Sequence, residues 1–228
     1  MSLPHSRRQQ LFWQQEQRKK SLEDVQLAAE EKPLPEEKQI LEESLNLIDM
    51  TLAEQMIAKQ DFSHPATTAK EHVLDLYKAA IESESQKILE LGSHKGISTV
   101  ALALAAKYNK GFVCSVDLCD EIPTEERITY WQSFDIDLMR HIFPYKEYAA
   151  NYLQDKNSPK FNMIFHDAVH GDQVLPEYYA CWQKTLGVFA MHDFDQISNQ
   201  GEFVRNLNPR KYIVSKDDRN RELAIFYK

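Results

Sequence analysis

The apolar pattern changes character twice along the chain. Between Pro35 and about Lys59, the residues Ile40, Leu41, Leu45, Ile48, Leu52 and Met56 recur at spacings of one, three and four, which lays a single apolar stripe along a helix. Pro35-Glu36-Glu37 suits the start of that helix, because proline is tolerated in a first turn and acids there complement the helix dipole. Phe62-Ser63-His64-Pro65 reads as a linker, and a second helix follows with Val73, Leu74, Tyr77, Ala80 and Ile81 facing inward. From Lys87 the pattern alternates. Strands are expected at Lys87 to Leu91, Phe112 to Leu118, weakly near Tyr145 to Ala150, Phe161 to His166 and Gly187 to His192. Helices fall between them at Ile97 to Lys107, Thr124 to about Phe143, and Val174 to Leu186, with a short one near Asn199 to Leu207.

Strands alternating with helices imply a mainly parallel sheet with right-handed crossovers. The closing strands, Lys211 to Ser215 and Leu223 to Tyr227, are joined too tightly for a crossover and form an antiparallel hairpin. The expected fold class is α/β: a doubly wound, Rossmann-like sheet with one reversed strand at an edge. A helical extension over residues 1–60 precedes the main domain at 61–228. The extension is expected to pack on that domain or to pair two copies as a homodimer, in preference to serving as a substrate lid.

Composition narrows the partners. No apolar run approaches the ~20 residues of a membrane span, and the first residues lack the apolar core of a signal peptide. Cys114, Cys119 and Cys181 match no metal or disulfide spacing and suit a reducing cytoplasm. A formal net charge of −8 argues against a nucleic-acid backbone as the main partner, since phosphate binding needs a basic stripe.

Glycine is scarce, six in all and none before Gly92, yet "ILELGSHKGISTVALALAA" (88–106) spends two of them four residues apart. Glycine is used where φ must be positive or where backbone must approach something closely. Ligands in such sheets sit beyond the carboxyl ends of the strands, where the winding reverses, and the loop Gly92-Ser93-His94-Lys95-Gly96 occupies that position ahead of a helix N-terminus. Neither the dinucleotide G-x-G-x-x-G nor the P-loop spelling is present. The spelling is E-x-G-x-x-x-G-x-S, with an acid, Asp117, closing the next strand.

That spelling resembles motif I of the class I S-adenosylmethionine (SAM) methyltransferases, most of all the small-molecule O-methyltransferases related to the catechol and macrolide-sugar enzymes. The resemblance runs from about residue 65 to the C-terminus. It implies that Gly92, with Ser93 and Gly96 in the same loop, lets backbone meet the amino-acid head of SAM. Ser98 would bond its carboxylate, Asp117 would take both ribose hydroxyls, and Glu90 would support the loop. Ala150 and Asn151 lie where the family contacts adenine.

The ends of the fourth and fifth strands carry "FHDAVHGD" and "MHDFD", which crowd three of the eight histidines and four aspartates into two adjoining loops. Lone histidines are more often structural, but a cluster at the ligand-bearing edge points to chemistry. By resemblance, Asp167 holds the SAM amino group and ligates a divalent metal in metal-dependent members, and His170 stands where those enzymes place the general base. His192 and Asp193 stand where a second acidic pair completes a magnesium or manganese site, with His192 replacing the relatives' carboxylate. The expected reaction is in-line attack of a hydroxyl oxygen of a small-molecule acceptor on the sulfonium methyl, leaving S-adenosylhomocysteine (SAH). The alternative is a SAM-binding protein of this fold without methyl transfer. Tyr130, Trp131, Tyr178, Tyr179 and Trp182 would either wall the acceptor pocket or, at helical spacing, join the core.

Overall fold

The computed structural model describes residues 51–228 apart from 52, 65–66, 119–120, 135 and 156–157. The stripe from Ile40 to Leu52, and with it the expected extension up to residue 50, lies outside the described residues, while its end, Met56, packs against the core. The compact unit that holds the sheet starts at Thr51. Its first turns, residues 53–58, are helical, and Ala53 and Ile57 are buried in the core.

Seven strands follow: β1 (Lys87–Leu91), β2 (Phe112–Asp117), β3 (Ile142–Lys146), β4 (Phe161–His166), β5 (Thr185–Met191), β6 (Lys211–Lys216) and β7 (Glu222–Tyr227). They form one sheet in the order β3-β2-β1-β4-β5-β7-β6. The first five run parallel, while β7 is antiparallel to both β5 and β6. The helices are α1 (Lys70–Glu82), α2 (Ile97–Tyr108), α3 (Thr124–Phe134), α4 (Ala149–Gln154), α5 (Leu175–Lys184) and α6 (Gln200–Leu207).

Successive residues of the inner strands feed two separate cores. Ile88, Val113, Phe165 and Ile225 pack on one face with α1 and α2; Leu89, Cys114, Ile164 and Phe226 pack on the other with α5 and α6. A strand covered on both faces is apolar at most positions, and this is why β1 and β4 read as nearly continuous runs, interrupted in β1 by the buried Glu90. Helix α2 is buried along nearly its whole length. Its alanines let it lie close to both α1 and the sheet.

Three expectations are corrected. The helix from Thr124 stops at Phe134, and a 3-10 turn, Ile136–His141, leads into β3 three residues before the expected strand. Pro144 suits the strand rather than a helix, since it drives the preceding Phe143 into extended backbone and is tolerated on an edge strand. Helix α4 occupies the end of the segment expected to be that strand. The reversed strand is not at an edge: β7 is inserted between β5 and β6. ELAIFY is buried along nearly all of its length and KYIVSK exposed along nearly all of its own, so only the first belongs inside a sheet.

Candidate active site

A cleft of about 640 Å³ opens at the carboxyl ends of β1, β2 and β4, where the strand order reverses. Gly92 stands at its base with φ +84°, and a Cβ built there would lie 2.5 Å from the carbonyl oxygen of Asp167 and 2.6 Å from the Ala168 nitrogen. Its missing side chain therefore makes room for protein, not for ligand. The loops after β1 and β4 touch backbone to backbone, with Asp167 N–H donating to Leu91 O (2.7 Å), while Gly92 N–H donates to Val116 O of β2 (2.8 Å). Gly96, φ +82°, caps α2, and its Cβ position is filled by the indole of Trp131, whose Nε1 donates to Gly96 O at 3.1 Å.

Glu90 is completely buried beneath this loop. It accepts from Ser98 Oγ (2.6 Å), Thr99 Oγ1 (2.5 Å) and Ser115 Oγ (2.8 Å), so it ties the first turn of α2 to β1 and β2. Burial pushes its carboxyl up to about 7, against the pull of the three hydroxyls. Ser98 lines the cleft, but its hydroxyl proton goes to Glu90. The first-turn N–H groups of α2, which have no partner within the helix, are what that end of the helix offers an anion.

Asp117 closes β2 with one oxygen, Oδ2, accepting from the backbone of Ser93 (2.8 Å) and His94 (2.9 Å). Arg127, buried, lies 3.9 Å from Oδ1 and donates to Ser93 Oγ. Sequence reasoning missed Arg127. Its signal was the four-residue spacing from Trp131, which puts both on the face of α3 that packs under the loop. Asn151 is bonded to Glu147 Oε1 at 3.0 Å; the cleft wall in that region is Glu147, Tyr148, Ala149 and Ala150. None of the five candidate wall aromatics lines the cleft. Trp131 and Tyr178 are fully buried core, and Tyr130 donates to Gln60.

The loops after β4 and β5 bring Asp167, His170, His192 and Asp193 together. His192 Nδ1 lies 3.2 Å from Asp167 Oδ1 and 3.3 Å from Asp193 Oδ1. Asp193 holds its position with backbone in the left-handed region, φ 53°. On the cleft side, His170 Nε2 is 3.6 Å from Asp167 Oδ1 and 3.5 Å from Asp193 Oδ2. The second oxygen of Asp167 accepts from Thr68 Oγ1 at 2.8 Å. His166 belongs elsewhere, paired with Glu177 at 3.3 Å under Tyr178.

Burial pulls the His192 pKa down, but the two carboxylates outweigh it and raise it from 6.5 to about 9. Burial raises Asp193, and His192 reverses this to leave it below the ordinary carboxylate range. Among the described residues, one donor atom each from Asp167, His170 and Asp193 lie within 4.8 Å of one another, and His192 lines the same end of the cleft. The sequence-based set named His192 in place of His170.

The His192 pair links stability to pH. A histidine pKa raised on folding contributes stability that is complete below about 6.5 and lost as pH rises through about 9. The melting temperature is expected to fall between pH 7 and 9.5 in the wild type, and to fall less in His192→Gln; equal slopes would remove this charge from the pair. Glu90 has the same sign but acts between 4.5 and about 7, so the two windows separate.

Residues 89–194 match the family described as methyltransferase domain. No curated protein matches the chain in sequence. Among solved structures, the O-methyltransferase TomG from Streptomyces achromogenes, involved in tomaymycin synthesis and in complex with SAM, aligns with a TM-score of 0.54 and 17% identity over 79% of this chain and 89% of its own. An O-methyltransferase from Bacillus cereus in complex with SAH gives 0.52 and 18% over 79% and 90%. A precorrin-6y C5,15-methyltransferase from Geobacter metallireducens gives 0.57 and 11% over 75% and 94%. Among the described residues, no helix is long and apolar enough to cross a membrane. Residues 89–194 thus match a methyltransferase domain, and the fold is similar to that of O-methyltransferases solved with SAM or SAH.

Proposed function

We propose that the protein transfers the methyl group of SAM to a hydroxyl of a small-molecule acceptor, with His170 taking the hydroxyl proton. The observation that carries this reading is the placement of His170 Nε2 in the cleft, about equidistant from Asp167 and Asp193. The cleft fits SAM by its position, its volume and its chemistry. Asp117 stands at one wall, Asp167 and Asp193 at the other, and acidic walls suit a sulfonium cation. When bound, SAM supplies an electrophilic methyl group.

The residues of the chain do the rest. The loop from Gly92 to Gly96 and the N-terminus of α2 hold the amino-acid end, and Asp117 faces the ribose. His170 Nε2 accepts the proton as the acceptor oxygen attacks, and the two carboxylates stabilise the imidazolium that results. His192 keeps both carboxylates in place. Alignment of oxygen and methyl contributes the remainder of the rate.

The convergence of Asp167, His170 and Asp193 favours a second arrangement at the same site. Those three residues would hold magnesium or manganese, which would lower the pKa of a hydroxyl bound beside it. His170 would then be a ligand and not the base. Chelation separates the two: turnover surviving EDTA assigns the base to His170, and turnover lost and restored by magnesium or manganese assigns the ligand role.

The reading is tested by incubating the protein with SAM and a panel of sugar, phenol and polyketide hydroxyl acceptors, following SAH by mass spectrometry. SAH released with one acceptor class is the expected result. SAH binding in calorimetry without release on any acceptor would leave a SAM-binding module. Asp117→Ala is expected to weaken SAH binding by about 3 kcal/mol, since a carboxylate accepting two hydroxyls and ordering the loop is lost. Unchanged affinity in that variant would move the ribose elsewhere.

A further inference from the structure

Thr67 and Thr68 line the cleft, and their fastening is more elaborate than a connector requires. The carbonyl oxygen of Thr67 accepts from two guanidinium groups at once, Arg219 Nη2 and Arg221 Nη2, both at 2.9 Å. Both arginines come from the β6–β7 turn, about 150 residues further along the chain. They are organised by Asp217, whose side chain is completely buried. Its Oδ1 accepts from the backbone of Arg219 (3.0 Å) and Arg221 (2.8 Å), and its Oδ2 accepts from Arg221 Nε (2.9 Å). One residue beyond Thr67, the hydroxyl of Thr68 donates to Asp167 Oδ2 at 2.8 Å. Thr68 is nearly buried.

From this geometry we infer that the β6–β7 turn is a clamp for the catalytic cluster, acting through Thr68, which is a positioning residue for Asp167. The chemistry supports a positioning role over mere packing. Asp167 has two oxygens and three claimants: His192 and His170 both face Oδ1, and Thr68 alone occupies Oδ2. With Oδ2 held, the carboxylate cannot rotate, so Oδ1 stays between the two imidazoles. Thr68 can donate to Oδ2 only while the segment keeps its depth, which the double acceptance at Thr67 sets. A buried Asp217 needs its full complement of donors, so the turn that supplies them is stiff. The clamp thus makes the geometry around Asp167 depend on residues that touch neither SAM nor acceptor, Arg219 among them.

The inference rests on the reading of the cleft as a SAM site, and the test separates the two. Four variants are compared with the wild type: Thr68→Val, which keeps shape and loses the hydroxyl, Thr68→Ser, Arg219→Ala, and the double variant Thr68→Val/Arg219→Ala. SAH affinity is measured by calorimetry, and amide hydrogen exchange is measured over residues 166–171, a readout that needs no ligand. Thr68→Val is expected to weaken SAH binding roughly tenfold and to speed exchange over 166–171 by a similar factor, the effect of one lost charge-assisted hydrogen bond. Thr68→Ser should restore both to near wild type. Arg219→Ala should move both in the same direction by less, and the double variant should be no worse than Thr68→Val alone, since both break one chain of contacts. Exchange over 166–171 unchanged in Thr68→Val, or effects that add in the double variant, or a serine no better than valine, would overturn the clamp. If no form of the protein binds SAH, the methyltransferase reading fails, and the exchange comparison still decides the clamp.

Discussion

Gly92→Ala is expected to destabilise the protein by about 3–5 kcal/mol, the range of severe packing and backbone defects. Two costs combine. At φ +84° an L-residue is strained whatever surrounds it, by roughly 1–2 kcal/mol. The new methyl would also overlap the backbone of Asp167 and Ala168, which cannot rotate aside as a side chain could. Relief requires the loops after β1 and β4 to part, breaking the bond from Asp167 N–H to Leu91 O. Those loops carry the Gly92–Gly96 segment and Asp167, so ligand binding should fall with stability. Urea unfolding monitored by circular dichroism measures the loss. Gly201→Ala is the control: it lies in α6, its Cβ would meet nothing closer than 3.8 Å, and a helical alanine there should be neutral or slightly stabilising. A Gly92→Ala protein as stable as the wild type would show that the two loops are not in backbone contact.

His170→Ala should lower turnover by roughly 10²–10⁴-fold, the usual contribution of a positioned base, and leave SAH affinity nearly intact. The residue is half-buried at the cleft with only carboxylates facing Nε2, so its removal leaves no bulky gap in either core. Few substitutes are available. His166 is occupied by Glu177 beneath Tyr178, and His192 is already protonated at neutral pH by its two carboxylates. A rate at the wild-type level in His170→Ala would mean that the acceptor loses its proton to water or arrives ionised. Chelator sensitivity, measured on the same preparations, assigns the loss to a missing base or to a missing ligand.

How far the sequence could be read depended on how local each cause was. β1, β4 and the start of α2 were legible because continuous apolar runs and a glycine-bounded loop are properties of a few consecutive residues. The loop and Asp117 were legible by spelling, and so was the crowding of histidine and aspartate after β4 and β5. The start of β3 was missed where Pro144 favoured extended backbone over a helical apolar pattern. Arg127 was missed because a single charged residue on a helix gives no sign of being buried beside a carboxylate from another strand.

The chain's local chemistry determined that a glycine loop would stand at the tip of a strand, that acids and histidines would gather at one edge, and that the last two strands would pair. Only the tertiary structure decided what each of these touches. Gly92 is needed by the backbone of Asp167, and Ser98 and Thr99 serve Glu90. His192, placed in the metal set by resemblance, stands 3.2 Å from Asp167 and 3.3 Å from Asp193, and His170 also approaches both carboxylates. The physical reason is that a carboxylate's partners are chosen by distance in space and by desolvation. Asp167 finds His170 three residues along its own loop, but it draws Thr68 and His192 from separate segments, and no spacing along the chain encodes their approach.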